Sequence, residues 1–486
     1  MTADGEQSSG VTAGGAERGS AVTARRARRW AGPAAVALLS GAVGLYGLGE
    51  KSFWTDEGAT GSTVVLGSWE YIWESATQHE PNLGLYYALL KVWSVLGTSE
   101  FVLRLFSLLC MVATAALLCL LGRRLFSPRV GLIAGILFGV NAFILRFAQE
   151  ARPYALGVLT VTAASLLLVI ALEKGSARWW VAYTTAAVVA VFANPWGATV
   201  IAAHIVAMRL HTKRPRWKPT LLTGLVMAVI LGPFVLRLTT SDVNRINWIP
   251  ETTWDALDST IEQLAGGSRP VLGLYMAASL LALAALARRR RPDWPILLAG
   301  LWAVMPVVLL VAASTVKPVF VPRYTIVALP GLILLVAAGL DRLRLARLVA
   351  LATAVVVVAA VPGLRAWYDS DFKADWRGGA ALVTERKAPD DIVLIHRQGR
   401  GAFRYYESSL PVGLLTDPRY REAAVERERF WLALFPPPAD DAVITSFQDA
   451  LAQSHRLAGE WQVNQITLRL YVKQPPPAQA ARRPAT

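Results

Sequence analysis

Residues 25–58 read RRARRWAGPAAVALLSGAVGLYGLGEKSFWTDEG. Four arginines precede an apolar run from about Pro33 to Leu48, and the acidic pair Asp56-Glu57 follows that run. A basic flank before a short apolar run is also typical of a signal peptide, but no small-x-small cleavage site follows here. The stretch therefore predicts an uncleaved first membrane helix with its N-terminus inside. Carboxylates cost free energy in hydrocarbon, so an acidic pair at this boundary is solvated, ion-paired or functional.

The composition extends this pattern over the whole chain. Of its 486 residues, 54% are hydrophobic and only 17% are charged, whereas soluble domains carry about 25% charged residues. About ten further apolar runs are centred near residues 111, 137, 162, 187, 203, 229, 279, 304, 331 and 354. Their lengths approach the roughly 20 residues that a membrane-spanning helix needs, and no alternating barrel pattern appears. We predict an α-helical polytopic membrane protein with about eleven transmembrane helices.

Basic residues are concentrated in alternate loops, as expected for cytoplasmic loops. The predicted inside loops carry Arg123, Arg124 and Arg129; Lys174 and Arg178; Arg209, Lys213, Arg214, Arg216 and Lys218; Arg288 to Arg291; and Arg342, Arg344 and Arg347. This alternation predicts a cytoplasmic N-terminus and an extracytoplasmic C-terminal segment. It also accounts for the net charge of +15. No basic stripe or binding motif indicates a nucleic-acid partner.

Four segments differ from the membrane helices. Residues 1–29 predict a disordered basic tail, and residues 476–486 a second low-complexity tail. The first outer loop, 50–99, contains the aromatic stretches Gly67–Trp73 and Leu83–Leu90, which predict helices in the membrane interface. Residues 364–475 predict a small extracytoplasmic α/β domain after a membrane domain at 30–363. Its predicted helices are Asp375–Lys387 and Ile444–Gln453, and its predicted strands are Asp391–His396, Phe430–Phe435 and Ile466–Lys473.

The topology places several groups capable of chemistry on the outer face. They are Asp56, Glu57, His79, Glu80, the run Gln149-Glu150-Ala151-Arg152-Pro153-Tyr154, and Pro322-Arg323-Tyr324. A carboxylate can take a proton from a hydroxyl, and arginine binds phosphate with two parallel hydrogen bonds. Each group also has a structural interpretation. The acidic pair could cap a helix, the arginines could snorkel, and His79 could be merely solvated.

Three other polar or thiol groups favour structural roles. His204 lies within an apolar run, where a hydrogen-bonded structural histidine is the better interpretation. Cys110 and Cys119 are nine residues apart, which places them on roughly opposite faces of one helix. We therefore predict that these cysteines form no disulfide.

The order of the motifs is similar to that in a known family. Phe53-Trp54-Thr55-Asp56-Glu57 is followed by His79-x-Pro81, Leu85-Tyr86-Tyr87-x-Leu89-Leu90, Ser99-Glu100-x-x-Leu103-Arg104, Gln149-Glu150-Ala151-Arg152-Pro153-Tyr154 and Pro322-Arg323-Tyr324. Over roughly residues 30–365 this resembles the membrane glycosyltransferases of the GT-C class. It looks most like bacterial relatives of the protein O-mannosyltransferases (glycosyltransferase family 39) and of the lipid A aminoarabinose transferase.

The resemblance implies a function and roles for individual residues. It implies a bacterial plasma-membrane enzyme that moves a mannose-like hexose or a pentose from a polyprenyl-phosphate donor to an extracytoplasmic glycan, lipid or protein. Asp56 matches the general base, Glu57 its motif partner and Glu150 a second acidic position. The positions near the donor phosphate are matched by His79, Arg152 and Arg323, and substrate contacts by Tyr86, Tyr154 and Tyr324. The segment from His79 to Tyr86 is longer than the usual form, which leaves the role of His79 open.

Alternatives remain at this stage. A polytopic transporter or flippase would show broken or polar helices near mid-membrane and often paired repeats. A non-catalytic scaffold would simply present residues 364–475. The residues require no cofactor, but a metal-dependent oligosaccharyltransferase would use a divalent cation on Asp56, Glu57 and Glu150. The acidic outer loop favours the transferase with inversion at the sugar.

Overall fold

Each of the eleven predicted apolar runs lies on a helix of the computed structural model, which describes residues 30–211, 217–240, 248–287, 293–435 and 442–474. The predicted tails, 1–29 and 476–486, lie outside these residues, as do the basic residues of 213–216 and 288–291. The helices up to the C-terminal domain are α1 (Trp30–Leu45), α2 (Thr55–Leu66), α3 (Trp69–Glu74), α4 (Gly84–Trp93), α5 (Glu100–Leu125), α6 (Pro128–Gly139), α7 (Ala142–Ala148), α8 (Tyr154–Lys174), α9 (Ala177–Ala193), α10 (Gly197–Arg209), α11 (Trp217–Thr240), α12 (Trp254–Leu264), α13 (Arg269–Ala287), α14 (Trp294–Ser314), α15 (Leu329–Asp341) and α16 (Ala346–Asp369).

The apolar helices confirm a multi-pass membrane protein. Within the described residues, six helical segments are long and apolar enough to span a bilayer: α5, α8, most of α11, α14, α15 with its preceding 3₁₀ turn, and α16. Two further pairs, α6 with α7 and α12 with α13, are bent by 62° and 79°. Helices α1, α9 and α10 are shorter. The number of membrane-crossing helices, about eleven, stays a prediction from the sequence.

The bend between α6 and α7 has a local cause. The side chain of Asn141 accepts hydrogen bonds from the backbone N–H groups of Phe143 and Ile144, so it caps a new helix instead of continuing the old one. The same side chain donates to the carbonyl of Leu264, at the end of α12 (3.0 Å). The two broken segments therefore meet and supply hydrogen bonds to one another.

Small residues set the close packing of the membrane helices. A Cβ atom on Gly122 of α5 would lie 2.8 Å from the Cα of Gly131 in α6, so these backbones approach as only small residues allow.

His204 is buried with its ring 2.9 Å from the Ser165 hydroxyl and 3.3 Å from that of Tyr183. This confirms a hydrogen-bonded structural histidine. Cys110 and Cys119 are both free, as predicted.

The first outer loop is largely helical. Asp56 and Glu57 lie in the first turn of α2, a helix that the sequence analysis did not predict. The predicted interfacial stretches form α3 and α4, joined by a π-helical turn at Ser75–His79 and a 3₁₀ turn at Pro81–Leu83. The side chains of Trp69, Tyr71 and Trp73 are exposed along α3. Their place in the membrane interface remains a prediction.

In its described residues, 364–435 and 442–474, the C-terminal domain forms a five-stranded sheet with four helices. Its strands are β1 (Val393–Ile395), β2 (Val412–Leu414), β3 (Arg429–Leu434), β4 (His455–Val463) and β5 (Ile466–Lys473), and its helices are α17 (Trp376–Arg386), α18 (Arg400–Tyr406), α19 (Pro418–Glu426) and α20 (Ala442–Leu451). The spatial order is β2-β1-β3-β5-β4. Strand β1 pairs in parallel with both β2 and β3, whereas β5 is antiparallel to β3 and β4. The five predicted elements are present, and α16 continues to Asp369, past the boundary predicted at residue 363.

This domain packs closely on the first outer loop. A Cβ atom on Gly58 of α2 would lie 2.2 Å from the Cα of Ala402 in α18. A Cβ atom on Gly401 would likewise lie 2.6 Å from the Cα of Ala59. Glycine at both positions lets the two helix backbones touch. The sheet domain is thereby held against the helix that carries Asp56 and Glu57.

Candidate active site

Glu57 is a buried junction between three parts of the chain. Its carboxylate accepts two hydrogen bonds from the guanidinium of Arg104 in α5, at 2.8 and 2.9 Å. Lys373 at the start of the C-terminal domain donates to it at 2.8 Å, and the backbone N–H of Ala151 at 2.9 Å. The side chains of Glu57, Arg104 and Lys373 are only 0%, 1% and 3% exposed. A buried carboxylate with this many donors is stabilised in its charged form.

Arg104 also organises the chain before α2. Its remaining N–H groups donate to the carbonyl oxygens of Leu48, Lys51 and Ser52. One side chain therefore fixes the link from the first membrane helix to the acidic pair. Arg104 belongs to the motif Ser99-Glu100-x-x-Leu103-Arg104, to which the sequence analysis assigned no role.

Glu150 is buried behind Glu57. Its carboxylate lies 3.5 Å from Nε of Arg146 and 3.8 Å from Nζ of Lys373. Both oxygens lack a hydrogen-bond partner among the described residues. Burial raises the pKa of Glu150 above its usual value, against the opposing charges of Lys373 and Arg146. Glu150 thus shares the cation Lys373 with Glu57 and places a second carboxyl group beside it.

The pKa of Glu57 shifts in the opposite direction. Burial alone would raise it, but the positive charges of Arg104 and Lys373 lower the pKa from 4.5 to about 2. Glu57 is therefore ionised at neutral pH and fully engaged by its donors. This is the position of an anchoring carboxylate.

Asp56, the neighbour of Glu57, points elsewhere. Its side chain is 33% exposed, and one oxygen lies 3.8 Å from the guanidinium of Arg152. Arg152 is held in place by the Thr60 hydroxyl (3.0 Å) and the carbonyl of Asp56 (3.3 Å). The Nε of Arg152 is buried and has no partner among the described residues. Asp56 and Arg152 therefore present an accessible carboxylate beside a fixed guanidinium.

Arg323 completes this face of the site. It lies in the 3₁₀ turn Pro322–Ala328 that precedes α15. Its guanidinium is 5.2 Å from the ring centroid of Trp248 and 5.7 Å from that of Tyr324. It interacts electrostatically with Asp56 and Arg152, and its buried Nε lacks a partner within the described residues. Asp56 thus has one guanidinium, that of Arg152, at 3.8 Å, and a second, that of Arg323, within electrostatic range.

The predicted tyrosines have different surroundings. Tyr154 packs on Phe147 and lies within electrostatic range of Arg152 and Arg323. Tyr324 stacks on Trp196, with ring centroids 5.4 Å apart. Tyr86 is buried and shares a hydrogen bond of 3.2 Å with Ser107. Tyr154 and Tyr324 therefore lie beside the arginines, whereas Tyr86 is buried against α5.

The surroundings of His79 include two arginines of the C-terminal domain. It is exposed at the end of the π-helical turn and lines a groove with Arg400 and Arg404 of α18. Glu80, its neighbour, accepts a hydrogen bond from the Tyr87 hydroxyl at 2.8 Å. Glu80 lies within electrostatic range of Arg152.

Sequence reasoning missed the cations that hold the acidic pair. Lys373 and Glu57 are 316 positions apart, so no local pattern links them. Arg377 of α17 pairs with Glu100 at the start of α5, another connection between the domains. The sequence does show Lys373 as a basic residue shortly after the last apolar run. Because Lys373 is buried in the structure, it needs a partner.

The residues give little support to a cation site on the three carboxylates. In the part of the chain that the structure describes, no three His, Cys, Asp or Glu side chains form a metal-binding group. Both oxygens of Glu57 already accept hydrogen bonds from Arg104, Lys373 and the N–H of Ala151. Carboxylates engaged by cations in this way are poor ligands for a further cation.

Known proteins resemble this chain in sequence over part of its length and in fold over most of it. The profile of the family described as dolichyl-phosphate-mannose-protein mannosyltransferase matches residues 79–237. The crystal structure of ArnT from Cupriavidus metallidurans in the apo state superposes with a TM-score of 0.64 at 14% identity, covering 90% of this chain and 97% of that one. ArnT bound to undecaprenyl phosphate gives 0.62 at 13% identity, with the same coverage.

This chain has the GT-C fold. A further structure, the archaeal oligosaccharyltransferase AglB from Archaeoglobus fulgidus with an inhibitory peptide and a dolichol-phosphate, has a TM-score of 0.52 at 10% identity. It covers 82% of this chain and 69% of that one. No curated protein sequence matches. The GT-C class predicted from the motifs is confirmed, and the matched profile spans Arg104, Glu150 and Arg152 but neither Asp56 nor Arg323.

Replacing the anchoring carboxylate should destabilise this GT-C protein. Glu57→Gln leaves Arg104 and Lys373 buried without their counter-charge, which typically costs about 3–5 kcal/mol. We expect a lower unfolding temperature for the purified protein at pH 7. Glu385→Gln, which alters an exposed ion pair with Arg386, is the matched control and should unfold like the parent.

The stability of Glu57→Gln should also depend less on acidic pH than the stability of the parent protein. Because the pKa of Glu57 is depressed to about 2 in the folded state, its stabilising effect is present above pH 4.5 and is lost as the pH falls towards 2. Parent stability should therefore fall over that range more steeply than that of Glu57→Gln. Equal unfolding temperatures and parallel pH profiles would show that the carboxylate anchors nothing.

Proposed function

We propose that the protein transfers a sugar from a polyprenyl-phosphate donor to an acceptor on the extracytoplasmic side of a bacterial plasma membrane. The observation that carries this proposal is the partly exposed Asp56 carboxylate 3.8 Å from the guanidinium of Arg152, with Arg323 within electrostatic range. Arg152 and Arg323 each have a buried N–H that lacks a partner among the described residues. Unsatisfied guanidinium groups favour binding of a phosphate oxygen. The fold is consistent with such a donor, since ArnT has been crystallised with undecaprenyl phosphate and AglB solved with a dolichol-phosphate.

The orientation of the chain supports a lipid-linked donor. Basic loops alternate along the sequence, which favours a cytoplasmic N-terminus and puts Asp56 and the C-terminal domain outside. Nucleotide sugars are made in the cytoplasm and would not reach that face. A sugar carried on a lipid and flipped across the membrane would reach it.

The reaction follows from the roles of these groups. An acceptor hydroxyl attacks the anomeric carbon, and its proton passes to the Asp56 carboxylate. The bond between the anomeric carbon and the phosphate oxygen breaks, and the polyprenyl phosphate leaves with the electron pair. Arg152 and Arg323 stabilise the charge that develops on that phosphate. A single direct displacement inverts the anomeric configuration, and the matched family favours a mannose-like hexose, with a pentose as the alternative.

The broken helices do not favour the transporter alternative. Broken spans in transporters expose backbone groups to a substrate cavity. Here the side chain of Asn141 at one break donates to Leu264 at the other. A Cβ atom on Gly363 would lie 2.4 Å from the carbonyl oxygen of Gly266, so α16 covers this junction closely. Among the described residues, the two helix breaks thus contact each other and α16, instead of lining a substrate cavity.

Asp56→Asn should abolish most of the turnover. The amide keeps the shape of the side chain but cannot accept the proton, and losing general-base assistance typically lowers the rate about 10²–10⁴-fold. Donor binding should persist, because Arg152 and Arg323 remain. Turnover and donor binding are measured separately on purified protein, with the exposed Asp255→Asn as the matched control.

Glu57→Gln, assayed in parallel, decides between the two carboxylates. A folded Glu57→Gln without activity beside a fully active Asp56→Asn would reverse the assignment and make Glu57 the base. Full activity in both variants would show that the acidic pair is structural and that the proposed mechanism is wrong.

Arg323→Ala should weaken use of the donor. Loss of a charged hydrogen-bond donor to phosphate typically costs about tenfold or more in affinity. Arg323→Lys should restore only part of it, since an ammonium lacks the planar fork. The measurement is KM for the lipid donor, with Arg365→Ala as the exposed control. Unchanged donor kinetics in Arg323→Ala would instead assign Arg323 to snorkelling.

A further inference from the structure

A groove of about 250 Å³ separates the first outer loop from the C-terminal domain. Its polar lining includes Ser62 and Thr63 of α2, His79 and Glu80 of the following turns, and Arg400 and Arg404 of α18. None of these residues belongs to the Glu57 anchor or to the pair of arginines beside Asp56. The groove is therefore a second polar surface next to the candidate active site.

The packing of α18 on α2 brings its two arginines to the groove. Gly401 lies against Ala59 so closely that a side chain would not fit. Arg400 and Arg404 are four residues apart and share one face of their helix. Arg400 is fixed, donating to the carbonyl of Val412 at 3.1 Å with its guanidinium 5.6 Å from the ring centroid of Tyr420.

Arg404 and His79, unlike Arg400, are not held by other side chains or carbonyl groups within the described residues. Both side chains are exposed, and neither forms a hydrogen bond or an ion pair with any residue that the structure describes. An accessible guanidinium and imidazole beside the hydroxyls of Ser62 and Thr63 can bind an anionic group and the hydroxyls of a sugar together. The carboxylate of Glu80 adds an acceptor for further sugar hydroxyls.

On α2 the lining of the groove ends at Ala59, one helical turn from Asp56. Asp56, Ala59 and Thr63 are spaced by three and four residues, so they lie on one side of the helix. At 1.5 Å per residue, Thr63 is on the order of 10 Å from Asp56 along the axis. A molecule lying in the groove therefore extends towards the carboxylate proposed as the base.

We propose that this groove is the acceptor subsite and that it takes a saccharide bearing a phosphate or carboxylate group. Arg404 binds the anionic group, with Arg400 behind it. His79 and the hydroxyls of α2 contact the sugar, and one sugar hydroxyl reaches Asp56. The assignment rests on the proposed transferase function, but binding to the groove can be measured without transfer.

The test is direct binding to the full-length protein in lipid nanodiscs. The probes are methyl α-mannoside 6-phosphate and neutral methyl α-mannoside, titrated by calorimetry. We expect the phosphorylated probe to bind at least about tenfold more tightly than the neutral one, and Arg404→Gln to remove most of that difference. Arg419→Gln, at an exposed ion pair with Asp417 on α19, should bind both probes like the parent.

Several results would overturn the assignment. They are equal binding of the two probes by the parent, no binding of either, or an unchanged affinity for the phosphorylated probe in Arg404→Gln. Displacement of that probe by polyprenyl phosphate would assign the groove to the donor instead. If the parent binds the phosphorylated probe as expected but transfers no sugar to any acceptor, the proposed reaction fails while the anionic subsite stands.

Discussion

The buried contact of Glu57 with Arg104 and Lys373 is the constraint on which the rest of the candidate active site depends. Removing charges from water is unfavourable unless they are paired and hydrogen-bonded, and here each partner comes from a different part of the chain. Arg104 also fixes the link before α2, and Lys373 fixes the start of the C-terminal domain. Helix α2, the membrane helices and the sheet domain must therefore assemble together before Asp56 is correctly placed.

This anchor gives adjacent carboxylates different environments. Consecutive residues of a helix point about 100° apart, so Glu57 faces the interior while Asp56 remains partly exposed beside Arg152. One carboxylate is saturated with donors, and the other can accept a proton. The closeness of α2 and α18 at Gly58 and Gly401 extends the same assembly to the groove. The accessible charged groups thus share a rigid support.

The sequence predicted the features that local patterns encode. Apolar runs marked the membrane helices, and the strand predicted at Ile466–Lys473 has the limits observed for β5. Helix α2 was missed because its small and polar residues resemble a loop, and β2 because it has only three residues. The pairing of Glu57 with Lys373 and the placing of Arg404 depend on tertiary contacts, which no single sequence shows. Motif order indicated the carboxylates and arginines of the candidate site, but not that His79 lines a groove with Arg400 and Arg404.

We have proposed that this GT-C protein uses a lipid-linked sugar with inversion. The most direct measurement incubates the purified parent protein with a panel of polyprenyl-phosphate sugars and a phosphorylated saccharide acceptor, and follows both the released lipid phosphate and the anomeric configuration of the product. The account predicts release from one donor class, with a product of opposite configuration to that donor. Absence of release from every donor would contradict the proposed reaction, and a product of retained configuration would contradict direct displacement with Asp56 as the base.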